Sequence, residues 1–274
     1  MTTALVTGAR TGVGFELTRR LLSEGWEVVA LVRSDLPPEP FVKEAQGEQR
    51  LRVVKGDLSD LGSLKQALRE ITAREASLDV LFNNAAISTE ALRFSPGGRE
   101  LQFEVNTVVP YILAMELKDL LRKGKLRTVI NSSSNAALTV KRFDPATLER
   151  PPTFKKLFGP YAASKLALSL WTREAASRFS AEGIEIRSTC PGPNRTPMSA
   201  GGGMPWWLLP FQRLTFSHPS KGAARLHEVA FGRFRGEAGV FVNRGKVTPL
   251  GFEAEGRAVL ERVRAVHEGA FLAA

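Results

Sequence analysis

Residues 2–35 restrict the fold more than any other part of the chain. They read TTALVTGARTGVGFELTRRLLSEGWEVVALVRSD: an apolar strand, a glycine-rich turn, an amphipathic helix and a second apolar strand. After the turn, Val13, Leu17 and Leu21 recur at four-residue spacing, and Gly25 marks the end of the helix. Strands that are apolar on both faces are typical of a parallel sheet covered by helices. The segment therefore predicts a strand–helix–strand unit of a doubly wound α/β domain.

The same alternation continues along the chain. LRVVKGD, LDVLFNNAA, RTVINSSS, IEIRSTCPG and GVFVN read as further strands, with helical patterns between most of them. We expect residues 1–274 to form a single Rossmann domain with a parallel sheet of about seven strands and helices on both faces. Two segments fall outside the alternation: residues 138–159 predict an inserted loop, and residues 198–216 join a triple glycine to a dense apolar patch.

Composition and charge exclude several classes of protein. An apolar fraction of 43% is enough for a substantial core. The net charge of +10 comes from scattered basic residues without a nucleic-acid-binding motif, so we expect no nucleic-acid partner. Cys190 is the single cysteine and the three histidines lack ligand spacing, so we expect neither a disulfide nor a metal site. The start MTTALVTGAR contains neither a basic leader nor a long apolar run, which predicts a cytoplasmic protein without a transmembrane anchor.

The turn TGARTGVG has the properties of a phosphate-binding loop. Gly8, Gly12 and Gly14 allow the backbone to turn tightly and to approach a pyrophosphate. The N–H groups and the dipole of the following helix then face the anion. Because the turn lies between a strand and a helix, we expect a dinucleotide site here, with Thr11 and Val13 as further contacts.

The end of the second strand indicates which dinucleotide is bound. Val32 stands where an NAD enzyme would place a carboxylate, and Arg33 and Ser34 follow it. An arginine at this point can form a bidentate contact with a 2'-phosphate, and Arg10 in the glycine turn could reach the same phosphate. The alternative for Arg33 is an ordinary solvated side chain. We expect NADP(H) as the cofactor.

Tyr161 and Lys165 stand four residues apart in PYAASK, at the start of a predicted helix. This spacing puts both side chains on one helix face. A phenol has a reference pKa of about 10, and a nearby cation stabilises its deprotonated form. The pair therefore suits a proton donor and acceptor, although a single YxxxK is also compatible with an ordinary surface pair.

Several further motifs occur in a characteristic order: TGARTGVG, GDL (56–58), NNAA (83–86), Asn106, NSSS (131–134), YAASK and CPG (190–192). In order and spacing they resemble the short-chain dehydrogenase/reductase family. The long insertion before the tyrosine, Arg33 and the tail GVFVNRGKVTPLGFEAEGRAVLERV resemble its retinol-dehydrogenase-like branch.

The resemblance implies four catalytic residues. Tyr161 would exchange the proton with the substrate oxygen, and Lys165 would assist it and hold the nicotinamide ribose. Ser134 would bind the substrate oxygen, with Ser133 as the alternative one position earlier. Asn106 would kink its helix and anchor a water for proton relay; the alternative is a purely structural asparagine.

The resemblance also extends the cofactor site beyond the glycine turn and the strand-end arginine. Asp57 and Leu58 would contact the adenine, while Asn84 and Ala85 would line the adenine-side ribose. The alternatives are a helix cap for Asp57 and a turn former for Asn84. At the nicotinamide and pyrophosphate, the resemblance implies contacts from Pro191, Gly192 and Thr196.

The chain departs from the family pattern at two places, Ala86 and Asn135–Ala137, where the family often has glycine. Neither change removes a reactive group. The apolar segment after CPG occupies the position of the family's substrate lid, which predicts a pocket lined by Trp206, Trp207, Leu208, Leu209 and Phe211. Core packing, a subunit contact and a peripheral membrane contact remain alternatives for this segment, so both monomers and homo-oligomers stay open.

The sequence as a whole predicts an NADP(H)-dependent oxidoreductase of the carbonyl reductase or alcohol dehydrogenase type. It would transfer a hydride between nicotinamide and a hydrophobic aldehyde, ketone or alcohol. A non-catalytic NADP(H)-binding sensor or regulatory protein is the alternative. The sequence identifies neither the substrate nor the direction of the reaction.

Overall fold

A computed structural model describes residues 2–196 and 216–273. Its sheet has eight strands in the order β3-β2-β1-β4-β5-β6-β7-β8, all parallel except the final pair. The strands are β1 Thr3–Thr7, β2 Glu27–Val32, β3 Leu51–Lys55, β4 Val80–Asn83, β5 Thr128–Ser132, β6 Glu185–Thr189, β7 Phe241–Asn243 and β8 Lys246–Val247.

Helices cover both faces of the sheet. They are α1 Gly12–Ser23, α2 Pro40–Gly47, α3 Leu61–Arg74, α4 Leu101–Phe103, α5 Val109–Glu116, α6 Lys118–Lys123, α7 Pro160–Ala181, α8 Pro219–Phe231 and α9 Gly256–Val266. Helices α1, α2 and α8 share one apolar core with the sheet, and α3, α5, α7 and α9 share the other. In the described part of the chain, no helix is both long and apolar enough to cross a membrane.

The doubly wound prediction is confirmed, with eight strands instead of about seven. The added strand β8 is a two-residue antiparallel partner of β7, too short for a hydrophobic pattern to reveal. The helical segment after β4 is divided: α4 leads into a π-helical turn, Glu104–Val108, before α5 and α6. Within the predicted insertion 138–159, regular structure is limited to short 3-10 turns, Asn135–Thr139 and Pro145–Thr147.

The two ends of the sheet are built differently. At the amino-terminal end of the strands, the buried Asp79 carboxylate accepts hydrogen bonds from the N–H groups of Thr3, Lys125 and Leu126. This carboxylate therefore ties β1 to the segments beside β4 and β5. At the opposite end, β1 lies between β2 and β4, so the chain winds away from β1 in both directions. In open α/β sheets a ligand crevice forms at such a switch point.

Candidate active site

A cavity of about 1270 Å³ opens at the carboxyl ends of the strands. It brings together residues that are far apart in the sequence. The predicted site residues that line it are Gly8, Arg10, Thr11, Val13, Arg33, Ser34, Asp57, Leu58, Asn84, Ala85, Ser134, Tyr161, Lys165, Pro191, Gly192 and Thr196. Gly12, Gly14 and Asn106 do not line it, but each supports a segment that does.

The glycine turn fits a close approach of an anionic group. Gly8 and Gly12 have φ values of 67° and 59°, in the left-handed region that favours glycine. A Cβ on Gly12 would lie 2.7 Å from Thr196 Cγ2, and one on Gly14 would lie 2.4 Å from the Gly8 oxygen. Only glycine therefore allows this close packing of the turn at the start of α1.

Thr7 fixes the glycine turn against the loop after β4, a contact that the sequence reading missed. Its Oγ1 accepts hydrogen bonds from the N–H groups of Asn84 and Ala85, at 3.0 and 2.9 Å. The Asn84 Nδ2 donates in return to the Thr7 carbonyl at 3.0 Å. The sequence feature that could have predicted this role is the position of Thr7 at the end of a strand, directly before Gly8.

Positive charge gathers at the ends of β2 and β3. Arg33 follows β2, and the Arg10 Nε donates to the Asp35 carbonyl at 3.0 Å. Lys55, at the end of β3, pairs with the Asp35 carboxylate at 2.9 Å. Lys55 was not among the predicted residues, because its proximity depends on the pairing of β3 with β2.

Asp57 does not cap the following helix. The α3 cap is Asp60, whose Oδ1 accepts from the N–H groups of Gly62 and Ser63. One Asp57 carboxylate oxygen accepts from the N–H and hydroxyl of Ser59, at 2.9 and 2.7 Å. Asp57 therefore shapes the turn after β3 along the cavity wall.

Tyr161 and Ser134 meet inside the cavity. Both side chains line it, and burial raises the pKa of Tyr161 to about 12, although the neighbouring Ser134 side chain acts to lower it. The Ser134 Oγ accepts from the Ala136 N–H at 3.2 Å, which fixes the serine at the start of a 3-10 turn. The phenol therefore carries its proton at neutral pH.

Lys165 lies one helical turn beyond Tyr161 and is buried. Its ammonium donates to the Ser132 carbonyl at 2.7 Å. Burial lowers the pKa of Lys165 to about 7, against the influence of the nearby Cys190. The charge state of this side chain is therefore sensitive to any anionic group that enters the cavity.

Ser133 faces away from the phenol, toward the backbone of α7. It donates to the Lys165 carbonyl at 3.1 Å and accepts from the Ser169 hydroxyl at 2.7 Å. Ser133 and Ser169 thereby join β5 to α7 beside the lysine. This arrangement puts Ser134, and not Ser133, next to Tyr161.

Asn106 lies in the π-helical turn and grips the loop after β4. Its Oδ1 accepts from the Ile87 N–H at 2.9 Å, and its Nδ2 donates to the Ile87 carbonyl at 3.0 Å and to Ser164 Oγ at 3.1 Å. Single π turns often occur at functional sites. One turn earlier, Gln102 Oε1 accepts from the Thr89 N–H at 3.2 Å. The sequence reading missed Gln102, although its spacing from Asn106 was a signal.

The CPG turn is held by hydrogen bonds from side chains of its own loop and of α8. Arg225 Nη1 donates to the Pro191 carbonyl at 2.8 Å, and Asn194 Nδ2 donates to the Gly192 carbonyl at 2.7 Å. Gly192 has a φ of 81°, so a larger residue would be strained here. The predicted pocket residues Trp206, Trp207, Leu208, Leu209 and Phe211 lie outside the described residues.

Comparison with known proteins identifies the family. The model of the short chain dehydrogenase family matches residues 2–146. Retinol dehydrogenase 13 of Mus musculus is 30% identical over 230 residues, which cover 81% of this chain and 69% of that protein. The chain belongs to the short-chain dehydrogenase/reductase family of oxidoreductases, in its retinol-dehydrogenase-like branch.

Solved structures show the same fold. The Pseudomonas aeruginosa RhlG/NADP active-site complex has a TM-score of 0.70 at 22% identity, covering 92% of this chain and 96% of that one. A 4-hydroxyisoleucine dehydrogenase complexed with NADH has a TM-score of 0.69 at 22% identity, covering 89% and 96%. These two neighbours differ in cofactor, so the likeness in fold does not choose between them.

Proposed function

We propose that this chain is an NADP(H)-dependent oxidoreductase acting on a hydrophobic aldehyde or ketone, or on the corresponding alcohol. The observation that carries the proposal is the grouping of Ser134, Tyr161 and the buried Lys165 in the same cavity as the glycine turn. A protein that only binds a dinucleotide has no need of this arrangement.

The residues along the cavity fit a dinucleotide with a 2'-phosphate. The turn of Gly8, Gly12 and Gly14 would hold the pyrophosphate, because it leads into the N-terminus of α1, where backbone N–H groups and the helix dipole favour an anion. Arg33 and Arg10 would hold the 2'-phosphate, since both lie near the end of β2. The carboxylate that an NAD enzyme would place at this point would repel that phosphate. The nicotinamide supplies or accepts the hydride when the cofactor is bound.

The chain's own residues would manage the proton and the developing charge. Hydride addition to a carbonyl carbon leaves negative charge on oxygen, which hydrogen-bond donors stabilise. The Ser134 hydroxyl would donate to that oxygen and orient it toward the phenol. Tyr161 would transfer its proton, and its raised pKa keeps that proton available at neutral pH. An alcohol oxidation would run through the same groups in reverse and would require the phenolate.

Lys165 and Asn106 would support this proton transfer indirectly. A protonated Lys165 would stabilise the phenolate left after the transfer, and an anionic cofactor in the cavity favours that protonated form. Asn106 would keep the Ile87 loop in place along the substrate side. Both residues retain these roles in either direction of the reaction.

The decisive experiment compares the wild type with Tyr161→Phe. We expect NADPH titration to give similar dissociation constants, because the change removes only the hydroxyl. Turnover of apolar aldehydes and ketones should fall by about 10²-fold or more, since general acid catalysis contributes about that much. Near-normal turnover in the variant would rule out the mechanism. Tight NADPH binding by the wild type without turnover of any carbonyl would favour a sensor instead.

A further inference from the structure

Four buried polar atoms in the cavity wall have no hydrogen-bond partner in the described part of the chain. One, Asn194 Oδ1, belongs to the loop after the CPG turn; the other three are Ser88 Oγ, Thr89 Oγ1 and Asn135 Oδ1. All three residues line the same cavity as Ser134 and Tyr161. A buried polar atom without a partner is costly, so a ligand that supplies hydrogen bonds here gains affinity.

The two hydroxyl groups are not needed to hold their loop. Asn106 binds both backbone groups of Ile87, and Gln102 binds the N–H of Thr89. Gln102 is itself fixed by Glu100 Oε1 at 3.1 Å. The backbone of the loop is thus held by buried side chains of the next helical segment, while the hydroxyls of Ser88 and Thr89 have no partner among the described residues.

The Asn135 amide is similarly uncommitted. Its turn is held by another group: the Ser134 Oγ accepts from the Ala136 N–H at 3.2 Å. Asn135 directly follows Ser134, the residue next to the catalytic phenol. Ser134 and Asn135 both line the cavity, so a ligand that bonds both would lie along one stretch of its wall.

The surrounding wall indicates a neutral group on an otherwise apolar ligand. Leu101, Val105 and Leu157 contribute apolar surface, while the charged lining residues Glu90 and Arg93 are exposed to solvent. A hydroxyl group both donates and accepts, so it can bond an amide and another hydroxyl in either orientation. A carboxylate would gain no buried cation from Ser88, Thr89 or Asn135.

We propose that the substrate is a hydroxy-carbonyl compound, with a hydroxyl one or two carbons from the reacting carbonyl, and that Ser88, Thr89 and Asn135 bind this hydroxyl. The inference rests on the proposed reductase function and narrows its substrate class. The apolar remainder of the substrate would lie against the leucines and Val105.

The test uses matched ketones and NADPH. Alkyl ketones with a hydroxyl on the first or second carbon from the carbonyl are compared with analogues in which a methyl group replaces the hydroxyl. The ratio of their kcat/KM values is measured in the wild type and in Ser88→Ala, Thr89→Val and Asn135→Leu. Thr18→Val is the matched control, because Thr18 also has a buried hydroxyl without a partner but lies outside the cavity wall.

In the wild type we expect the hydroxy ketone to be favoured by about tenfold or more, since a site built for a hydroxyl rejects the analogue that lacks it. At least one of the three cavity variants should reduce that ratio severalfold without weakening NADPH binding, and Thr18→Val should preserve it. Efficient turnover of both ketones, with a ratio that no cavity variant reduces, would overturn the inference and leave the reductase function standing. Failure to turn over either ketone or any other carbonyl would overturn the proposed function and this inference together.

Discussion

Lys165 is a cation that the fold buries at a cost. Its side chain is 2% exposed, and among the described residues its ammonium donates to the Ser132 carbonyl. Burial lowers its pKa from 10.5 to about 7, so the folded protein binds this proton less tightly than the unfolded chain. Such a position is typical of a functional site, because a stability-optimised core would use an apolar residue here.

Because Lys165 is buried, its contribution to the free energy of unfolding depends on pH, and the direction of that dependence follows from its lowered pKa. Between pH 7 and 10 the unfolded chain holds the Lys165 proton while the folded protein has released it, so the lysine's contribution to stability rises with pH. The slope approaches about 1.4 kcal/mol per pH unit, the value for a single proton. We expect Lys165→Met to be more stable near pH 7, with the difference shrinking toward pH 10. Denaturant unfolding of both cofactor-free proteins measures it; a constant difference across this range would contradict the assignment.

Arg33 is the residue that should decide between the two dinucleotides. Replacing it with alanine would remove the proposed charge-assisted contact to the 2'-phosphate, so we expect NADPH affinity to fall by about ten- to a hundredfold. NADH affinity should change little. Fluorescence titration with both nucleotides measures this, with Arg257→Ala as the control on the exposed face of α9. Equal losses for NADPH and NADH would show that Arg33 acts elsewhere on the cofactor.

At the scale of single elements, the start of α1 is the most tightly constrained part of the site. Gly14 lies within its first turn, where an added Cβ would meet the Gly8 oxygen at 2.4 Å and Asn84 Nδ2 at 2.5 Å. These are contacts to the two loops that Thr7 joins. A single methyl group here would therefore disturb both walls of the proposed pyrophosphate site at once.

Gly14→Ala should consequently weaken cofactor binding more than it weakens the fold. We expect the dissociation constant for NADPH to rise by about tenfold or more, because overpacking shifts the turn and costs about 1–3 kcal/mol. Gly47→Ala is the control, since no atom lies within 4 Å of a Cβ built there. Circular dichroism checks that both variants fold. Unchanged NADPH binding in Gly14→Ala would show that the turn can relax around the methyl group.

Local patterns in the sequence were enough to predict the glycine turn, the central parallel strands and the helix that carries Tyr161. They could not predict the π-helical turn at Asn106, because that distortion depends on a grip on Ile87, 19 residues earlier. The partners of Thr7 are 77 and 78 residues away for the same reason. Such contacts depend on which strands become neighbours, and hydrophobic periodicity does not encode strand order.

At the scale of the whole molecule, the C-terminal segment completes the second core. Helix α9 packs Val259 and Val263 into the same cluster as Trp171 of α7. The π-helical turn His267–Leu272 follows, and Phe271 stacks on His267 with its backbone carbonyl bound by Lys65 of α3. The two ends of the described chain are thus joined through one hydrophobic core.

Phe271→Ala should destabilise the protein without altering the active site. Phe271 is 2% exposed, and truncating a buried phenylalanine typically costs about 3–5 kcal/mol. We expect that loss in the free energy of unfolding, with unchanged NADPH affinity at temperatures well below the transition. Its neighbour Leu272 is 52% exposed, so Leu272→Ala should change stability by less than about 0.5 kcal/mol. Similar stability for the two variants would mean that the C-terminal turn does not belong to the cooperative core.

The reactivity of the single cysteine, Cys190, can report on local opening of the protein. Cys190 is 4% exposed, burial raises the pKa of its thiol, and it lies at the end of β6 in the cavity wall. A thiol reagent can therefore react with it quickly only when the carboxyl end of the sheet opens. In the unaltered protein, the rate at which the reagent modifies Cys190 therefore reports how often this end of the sheet opens. A lower rate in the presence of an added nucleotide would show how strongly that nucleotide suppresses the opening.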